Sequence, residues 1–64
     1  MYHLKTANGY ETDFDEFTWE NACISAEEWI INGDAGDVET RQLLQYTLTD
    51  VSTGHSEIKF VQIG

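Results

Sequence analysis

The apolar residues of this chain change their spacing twice, and that change limits the folds it can adopt. Residues 2–7 alternate between apolar and polar side chains, residues 10–14 do the same, and Asn8-Gly9 lies between the two runs. An Asn-Gly pair in this setting is typical of a β-hairpin, because both central residues of a type I′ turn need a positive φ. The first fourteen residues therefore predict two antiparallel strands.

The second segment has the spacing of a helix. Six apolar side chains recur there at intervals of three and four, which places them on one stripe of a helix. Asp15 or Thr18 can cap its start, and Gly33 supplies the left-handed residue that ends it. Ser25-x-x-Glu28 also matches a capping box, which would divide the segment, but the unbroken stripe favours one helix. The stripe consists of Trp19, Ala22, Cys23, Ala26, Trp29 and Ile30.

Alternation returns in the last third of the chain. From Thr40 onward Leu44, Tyr46 and Leu48 fall on one face, Ser52-Thr53-Gly54 indicates a turn, and residues 58–63 form a last strand. The order strand-strand-helix-strand-strand predicts an α+β fold, a small antiparallel sheet with one helix packed on one face. Sixty-four residues are enough for a single domain, which we place at residues 1–64.

The charge balance is the most unusual property of the composition. Twelve carboxylates face three cations, so the net charge is −9 with neutral histidines. This excess disfavours direct binding to nucleic acid or to an anionic membrane, whose surfaces attract Lys and Arg, and it favours a basic partner. General solubility, or adaptation to a salty cytoplasm, is the alternative explanation of the acidity.

The start of the chain and its single cysteine indicate a compartment. No long apolar run follows the first residues, so we expect neither a signal peptide nor a membrane span. Cys23 has no second cysteine to pair with, which suits a reducing environment. We therefore expect the protein in the cytoplasm, the host cytoplasm if it is phage-encoded.

Cysteine and histidine chemistry is not favoured. A nucleophilic thiolate needs a partly exposed, electropositive setting, whereas Cys23 lies on the apolar stripe of a chain with few cations. We interpret it as a small buried apolar residue. His3 and His55 lie in a strand and a turn without the spacing of a zinc site, so we interpret them as surface histidines.

The acidic loop after the helix is the remaining candidate for a metal. Asp34, Asp37 and Glu39 adjoin two glycines, but the spacing of an EF-hand is absent, and a tight turn is the better interpretation. Acid–base catalysis by paired carboxylates would need a cleft, for which one helix on a small sheet leaves little room. We therefore predict no catalytic residue, no metal and no cofactor.

Carboxylates on the predicted elements give the sharper hypothesis. Glu11, Asp13 and Asp15 lie two residues apart, which on a strand spaces them by ~6.6 Å. The phosphates along one DNA strand are spaced by roughly 6–7 Å once winding is included. A face with negative charges at such intervals suits a channel that normally holds nucleic acid.

The outer face of the helix is predicted to be acidic as well. Glu20, Glu27 and Glu28 point away from the apolar stripe, with Ile24 and Ile31 among them. The candidate partner-binding residues are thus Glu11, Asp13, Asp15, Glu20, Ile24, Glu27, Glu28, Ile31, Asp34 and Asp37.

Three segments carry a resemblance to known proteins. Asn8-Gly9-Tyr10-Glu11-Thr12, Trp19-Glu20-Asn21-Ala22 and Gly33-Asp34-Ala35-Gly36-Asp37 give the chain the general character of small acidic phage-encoded anti-CRISPR proteins. Some proteins of that type act as DNA mimics. The resemblance implies a DNA-binding subunit of a CRISPR interference complex as partner, with the acidic face blocking target DNA, and it implies no catalytic residue.

Our leading hypothesis is an inhibitor that binds a basic, nucleic-acid-handling protein by charge complementarity. The alternative is a small interaction module or self-associating protein whose acidity serves solubility alone. Such a module would bind through apolar surface, for example Leu43, Val51 or an exposed strand edge.

Overall fold

The computed structural model describes residues 1–33, 35–36 and 43–63. The predicted order of elements and the α+β class are confirmed. The four strands form one antiparallel sheet in the order β2-β1-β3-β4. The elements are β1 (Tyr2–Thr6), β2 (Glu11–Phe14), α1 (Trp19–Ile31), β3 (Leu43–Asp50) and β4 (His55–Gln62).

The core lies between one face of the sheet and α1. The helix presents Ala22, Ala26 and Ile30 to this inner face, and the two alanines let its backbone approach the strands closely. The alternation predicted for β1 and β3 is confirmed, because every second side chain of these strands is buried. From the sheet come Tyr2, Leu4, Thr6, Leu44, Tyr46, Leu48 and Val61.

The first hairpin is present, but its turn differs from the predicted type. Thr6 N donates to Tyr10 O at 2.8 Å and Gly9 N donates to Thr6 O at 3.1 Å, so the loop has three residues rather than two. Gly9 has a φ of 96°, which only glycine adopts without strain. A three-residue loop closed by a left-handed glycine is the next most common hairpin connection, and Asn-Gly serves both types.

Thr18, and not Asp15, caps the helix. Its Oγ1 accepts a hydrogen bond from Asn21 N at 3.1 Å. Gly33 has a φ of 92° just beyond the helix, as predicted. Ser25 instead donates its hydroxyl to Glu16 Oε2 at 2.5 Å, and one helix runs through this position.

The last strand begins three residues earlier than predicted, at His55. The periodicity of the sequence does not indicate this start. Strand β4 lies at the edge of the sheet, where polar side chains take the place of alternating apolar ones. The turn before it is closed by Gly54 N, which donates to Asp50 O at 2.8 Å. The predicted strand residues 40–42 lie outside the described residues.

The two faces of the sheet differ in what covers them. Helix α1 covers the inner face, while no described element packs on the outer face. The outer face exposes Leu43, Ile58 and Phe60, each 60–66% accessible. Within the described ranges, no helix has the length and apolar character needed to cross a bilayer.

Candidate functional site

The first candidate carboxylates meet a histidine on the outer face. Asp13 lies directly opposite His3 in the β1–β2 register, and Glu11 is one pair further along. His3 Nδ1 is 2.6 Å from Asp13 Oδ1, and its Nε2 is 3.1 Å from Glu11 Oε1. We call these three residues the histidine clamp. The hydrogen bond to Asp13, helped by Glu11 and opposed by partial burial, raises the pKa of His3.

The clamp corrects the predicted row of evenly spaced charges. Two of the three carboxylates in that predicted row converge on the imidazole ring of the clamp, so they do not stand free along the strand. Asp15 lies past the end of β2 at Phe14 and is 86% exposed, with its Oδ1 3.6 Å from the amino group of Met1. His3, predicted to be a surface histidine, is partly exposed on the outer face and lies between the two carboxylates of the clamp.

The outer face of α1 largely matches the expected composition. Glu20 and Glu28 are exposed, and so are the two aliphatic residues set among them, Ile24 and Ile31. This surface combines negative charge with apolar side chains, a combination that supports charged recognition with some desolvated contact.

Glu27 corrects the prediction for the helix. It is only partly exposed, and its Oε2 accepts a hydrogen bond from the Tyr46 hydroxyl at 2.9 Å. Burial, followed by this carboxylate, strongly raises the pKa of Tyr46. Glu27 sits at the boundary between the stripe and the outer face, so its long side chain can turn to the sheet. It therefore ties the helix to β3 instead of pointing away from the core.

A second group of carboxylates gathers where α1 begins, and we call it the acidic end. Strands β2 and β3 both end there, with Phe14 and Asp50 on either side of Tyr2. Burial and the nearby charges of Asp50 and Glu16 raise the pKa of Tyr2. The acidic end comprises Asp15, Glu16, Glu20, Asp50 and Glu57.

Sequence reasoning did not select three members of the acidic end, namely Glu16, Asp50 and Glu57. They are far apart in the chain, and only strand pairing brings them to one end of the sheet. The Asn-Gly hairpin and the turn at 52–54 were a partial signal, because each hairpin fixes which ends of its own two strands coincide, whereas the pairing of β1 with β3 joins the two hairpins.

The histidine at the acidic end is held in place. His55 Nε2 is 2.8 Å from Glu57 Oε2, and its ring packs edge-on to Trp19 with ring centroids 5.0 Å apart. Within the described ranges, the carboxylates form ion pairs with histidines and the amino terminus, and neither Lys5 nor Lys59 pairs with one. The negative charge of the acidic end and of the helix face is therefore only slightly compensated.

Two observations on the described part of the chain concern the metal and cysteine alternatives. That part of the chain contains no group of three side chains suited to a metal ion. Cys23 is partly buried against the core rather than fully buried, and burial raises the pKa of its thiol, which disfavours the thiolate. Asp34, Asp37 and Glu39 lie outside the described residues, so the structure gives no account of the loop as a binding surface or calcium site.

A shallow depression on the outer face has a volume of about 180 Å³. Lys5, Gln45 and Thr47 line its floor between β1 and β3. Pockets for small molecules usually measure roughly 300–1,000 Å³.

Comparison of the chain with protein-family models, with curated proteins and with solved structures gives no match.

Proposed function

We propose that this chain is a small acidic binding protein that occupies a basic nucleic-acid-binding site on another protein. It presents carboxylates in place of phosphates and thereby inhibits a nucleic-acid-handling complex without catalysing a reaction. CRISPR interference machinery is the partner that the resemblance in sequence suggests. The site of action on this proposal is the cytoplasm of the host cell.

The observation that carries the proposal is the arrangement of exposed carboxylates that lack Lys or Arg partners in the described structure. At the acidic end Asp15, Glu20 and Glu57 are exposed and the other two carboxylates are partly exposed, and the exposed set continues along α1 to Glu28. An excess of like charge costs stability in a small domain, and a basic partner would recover that cost on binding. Ile24 and Ile31 add apolar contact beside the charges.

The histidine clamp changes which charges we expect to dominate. Glu11 and Asp13 share the imidazole of His3, and so contribute less to a partner than the helix carboxylates do. Glu27 is tied to Tyr46. We therefore place the main contacts at Glu20, Glu28 and the acidic end.

Displacement of labelled DNA from a purified CRISPR effector complex tests this proposal. The unmodified protein should displace the DNA, and its affinity should fall steeply as salt rises, because exposed charges are screened. The variant Glu20→Gln with Glu28→Gln should lose at least about tenfold in affinity, since each lost charge pair is worth about 1 kcal/mol or somewhat more when partly desolvated.

A matched control separates a local effect from net charge. Gln45→Lys with Thr47→Lys changes the net charge by the same two units, but on the outer face of the sheet. It should bind like the unmodified chain. Equal losses in both variants would show that bulk charge alone matters, and the absence of DNA displacement from any nucleic-acid-binding complex tried would reject mimicry.

A further inference from the structure

The two edges of the sheet are very different. Strand β2 is a four-residue edge whose outer-face side chains, Glu11 and Asp13, are both acidic. Short charged edges resist pairing with another chain. Strand β4 has eight residues, and within the described ranges no strand lies beyond it. A long edge of this kind offers unpaired backbone groups to a further strand.

The sheet's hydrogen bonds show which residues of β4 face outward. Ala7 N donates to Gln45 O at 2.9 Å, so the backbone of Gln45 faces β1. The next residue, Tyr46, therefore faces β4, where its partner is Lys59. Because backbone direction alternates along a strand, the groups that point to the open edge belong to Ser56, Ile58, Phe60 and Gln62.

Among the registers centred on the middle of β4, at residues 57–59, the charges favour one for pairing with an identical strand. Outward-facing residues must pair with outward-facing residues, so neighbouring two-fold registers offset the two strands by two residues and move the centre of pairing by one. A register centred on Glu57 or on Lys59 sets like charges opposite each other, which is destabilising. The register centred on Ile58 sets Glu57 of each copy opposite Lys59 of the other.

We propose that two copies of this chain associate edge to edge through β4, antiparallel and centred on Ile58. Ile58 of each copy then exchanges both backbone hydrogen bonds with Ile58 of the other. Glu57 and Lys59 form two equivalent cross-strand pairs on the inner-face side. His55 contacts Oε2 of Glu57, so Oε1 is available to the ammonium group of the second copy.

The outer face explains why this pairing adds apolar contact. Ile58 and Phe60 are both exposed on the outer side of β4. Pairing about Ile58 brings the two isoleucines together, with Phe60 of each copy diagonal to the Ile58 of the other. The result is one eight-stranded sheet with a continuous apolar strip on its open face.

The interface is a single pair of strands, below the ~1,200 Å² typical of stable complexes. The association is therefore expected to depend on concentration. Sedimentation equilibrium of the full chain from micromolar to millimolar concentration should show a monomer–dimer equilibrium. This inference does not depend on the proposed function.

Charge reversal on β4 tests the register. Glu57→Lys and Lys59→Glu each place like charges opposite each other twice, and each should weaken self-association by about tenfold or more. The double variant, Glu57→Lys with Lys59→Glu, restores both pairs and should associate like the unmodified chain. An equimolar mixture of the two single variants should also associate, as a heterodimer.

Two kinds of control keep the test specific. Lys5→Glu and Glu28→Lys make the same changes in net charge away from the edge and should leave self-association within about twofold of the unmodified value. Ile58→Pro removes an outward-facing N–H that β3 does not use, so the monomer should keep its circular dichroism spectrum while dimerisation is lost.

Three outcomes would each overturn the inference. The first is a chain that stays monomeric to millimolar concentration. The second is that the single charge-reversal variants associate as strongly as the unmodified chain. The third is that the equimolar mixture of the two single variants associates no more strongly than either variant alone. A dimer that survives Ile58→Pro would likewise show that another surface carries the association.

Discussion

Removing the imidazole of the histidine clamp should make the pH dependence of stability flatter. His3→Gln keeps a polar side chain on the outer face but can carry no charge. Because the folded-state pKa of His3 lies above the ordinary value of about 6.5, the charged clamp stabilises the fold most fully below that value. The contribution is lost as pH rises through the folded-state pKa.

The size of the effect follows from the exposure of the three side chains. His3 is 35% exposed and its two carboxylate partners are more than half exposed, so solvent screens both contacts. Exposed ion pairs contribute about 0.2–1 kcal/mol each, which gives about 0.5–1.5 kcal/mol for the clamp. For a domain of this size such a difference shifts Tm by about 2–10 °C.

The assay is thermal unfolding of both proteins between pH 5.5 and 9, followed by circular dichroism. The unmodified chain should exceed the variant most at pH 5.5, and the gap should narrow as pH rises. Lys5→Gln is the control, because it removes a neighbouring cation from the same face without removing a histidine. A gap that stays constant with pH, or a pKa of His3 at or below 6.5 by NMR titration, would refute the clamp's role.

Two further substitutions test packing around the site. Gly36→Ala should destabilise the fold more than Gly33→Ala. Both glycines have a positive φ, which costs a non-glycine residue about 1–2 kcal/mol. Only at Gly36 would the new methyl also meet the Tyr10 side chain, at 2.5 Å from its hydroxyl oxygen and 2.7–2.9 Å from its ring. Chemical denaturation gives the free energy of unfolding of both variants, and an equal decrease in the two would contradict the contact between position 36 and Tyr10. Tyr46→Phe should lower the free energy of unfolding by about 1–2 kcal/mol, because Glu27 loses its hydrogen-bond donor. Adding Glu27→Gln to that variant should then lower it little further. Additive losses from the two changes would argue against the hydrogen bond.

The helix and the central strands could be predicted because their side chains obey simple periodicity. Strand β3 alternates clearly, and the buried positions of α1 recur at three and four residues. Strand β4 obeys no such pattern at its start, since an edge strand with one open face is under little pressure to alternate. That is why the sequence predicts the strand only from residue 58, although the backbone of His55–Glu57 also pairs with β3.

The candidate site was harder to predict than the fold, for a physical reason. Periodicity assigns a residue to a face, but it does not say which neighbour a long polar side chain will choose. Glu27 turns to Tyr46, and Glu11 and Asp13 turn to His3. Each choice depends on a residue many positions away, which the local pattern does not contain.

The two proposed surfaces share Glu57 and otherwise lie at different places in the fold, so they are compatible. Antiparallel pairing about Ile58 sets His55 of one copy beside Val61 of the other. Those positions are separated along one strand by about 20 Å. Apart from Glu57, whose charge faces Lys59 of the other copy, the carboxylates of the two acidic ends thus lie at opposite ends of the joint sheet, more than two Debye lengths apart at physiological ionic strength, where the Debye length is about 8 Å. Their mutual repulsion is largely screened there, and the helix face of each copy stays open to a basic partner. Salt should therefore weaken capture of that partner much more than it weakens the dimer, whose backbone hydrogen bonds and apolar contacts are insensitive to screening.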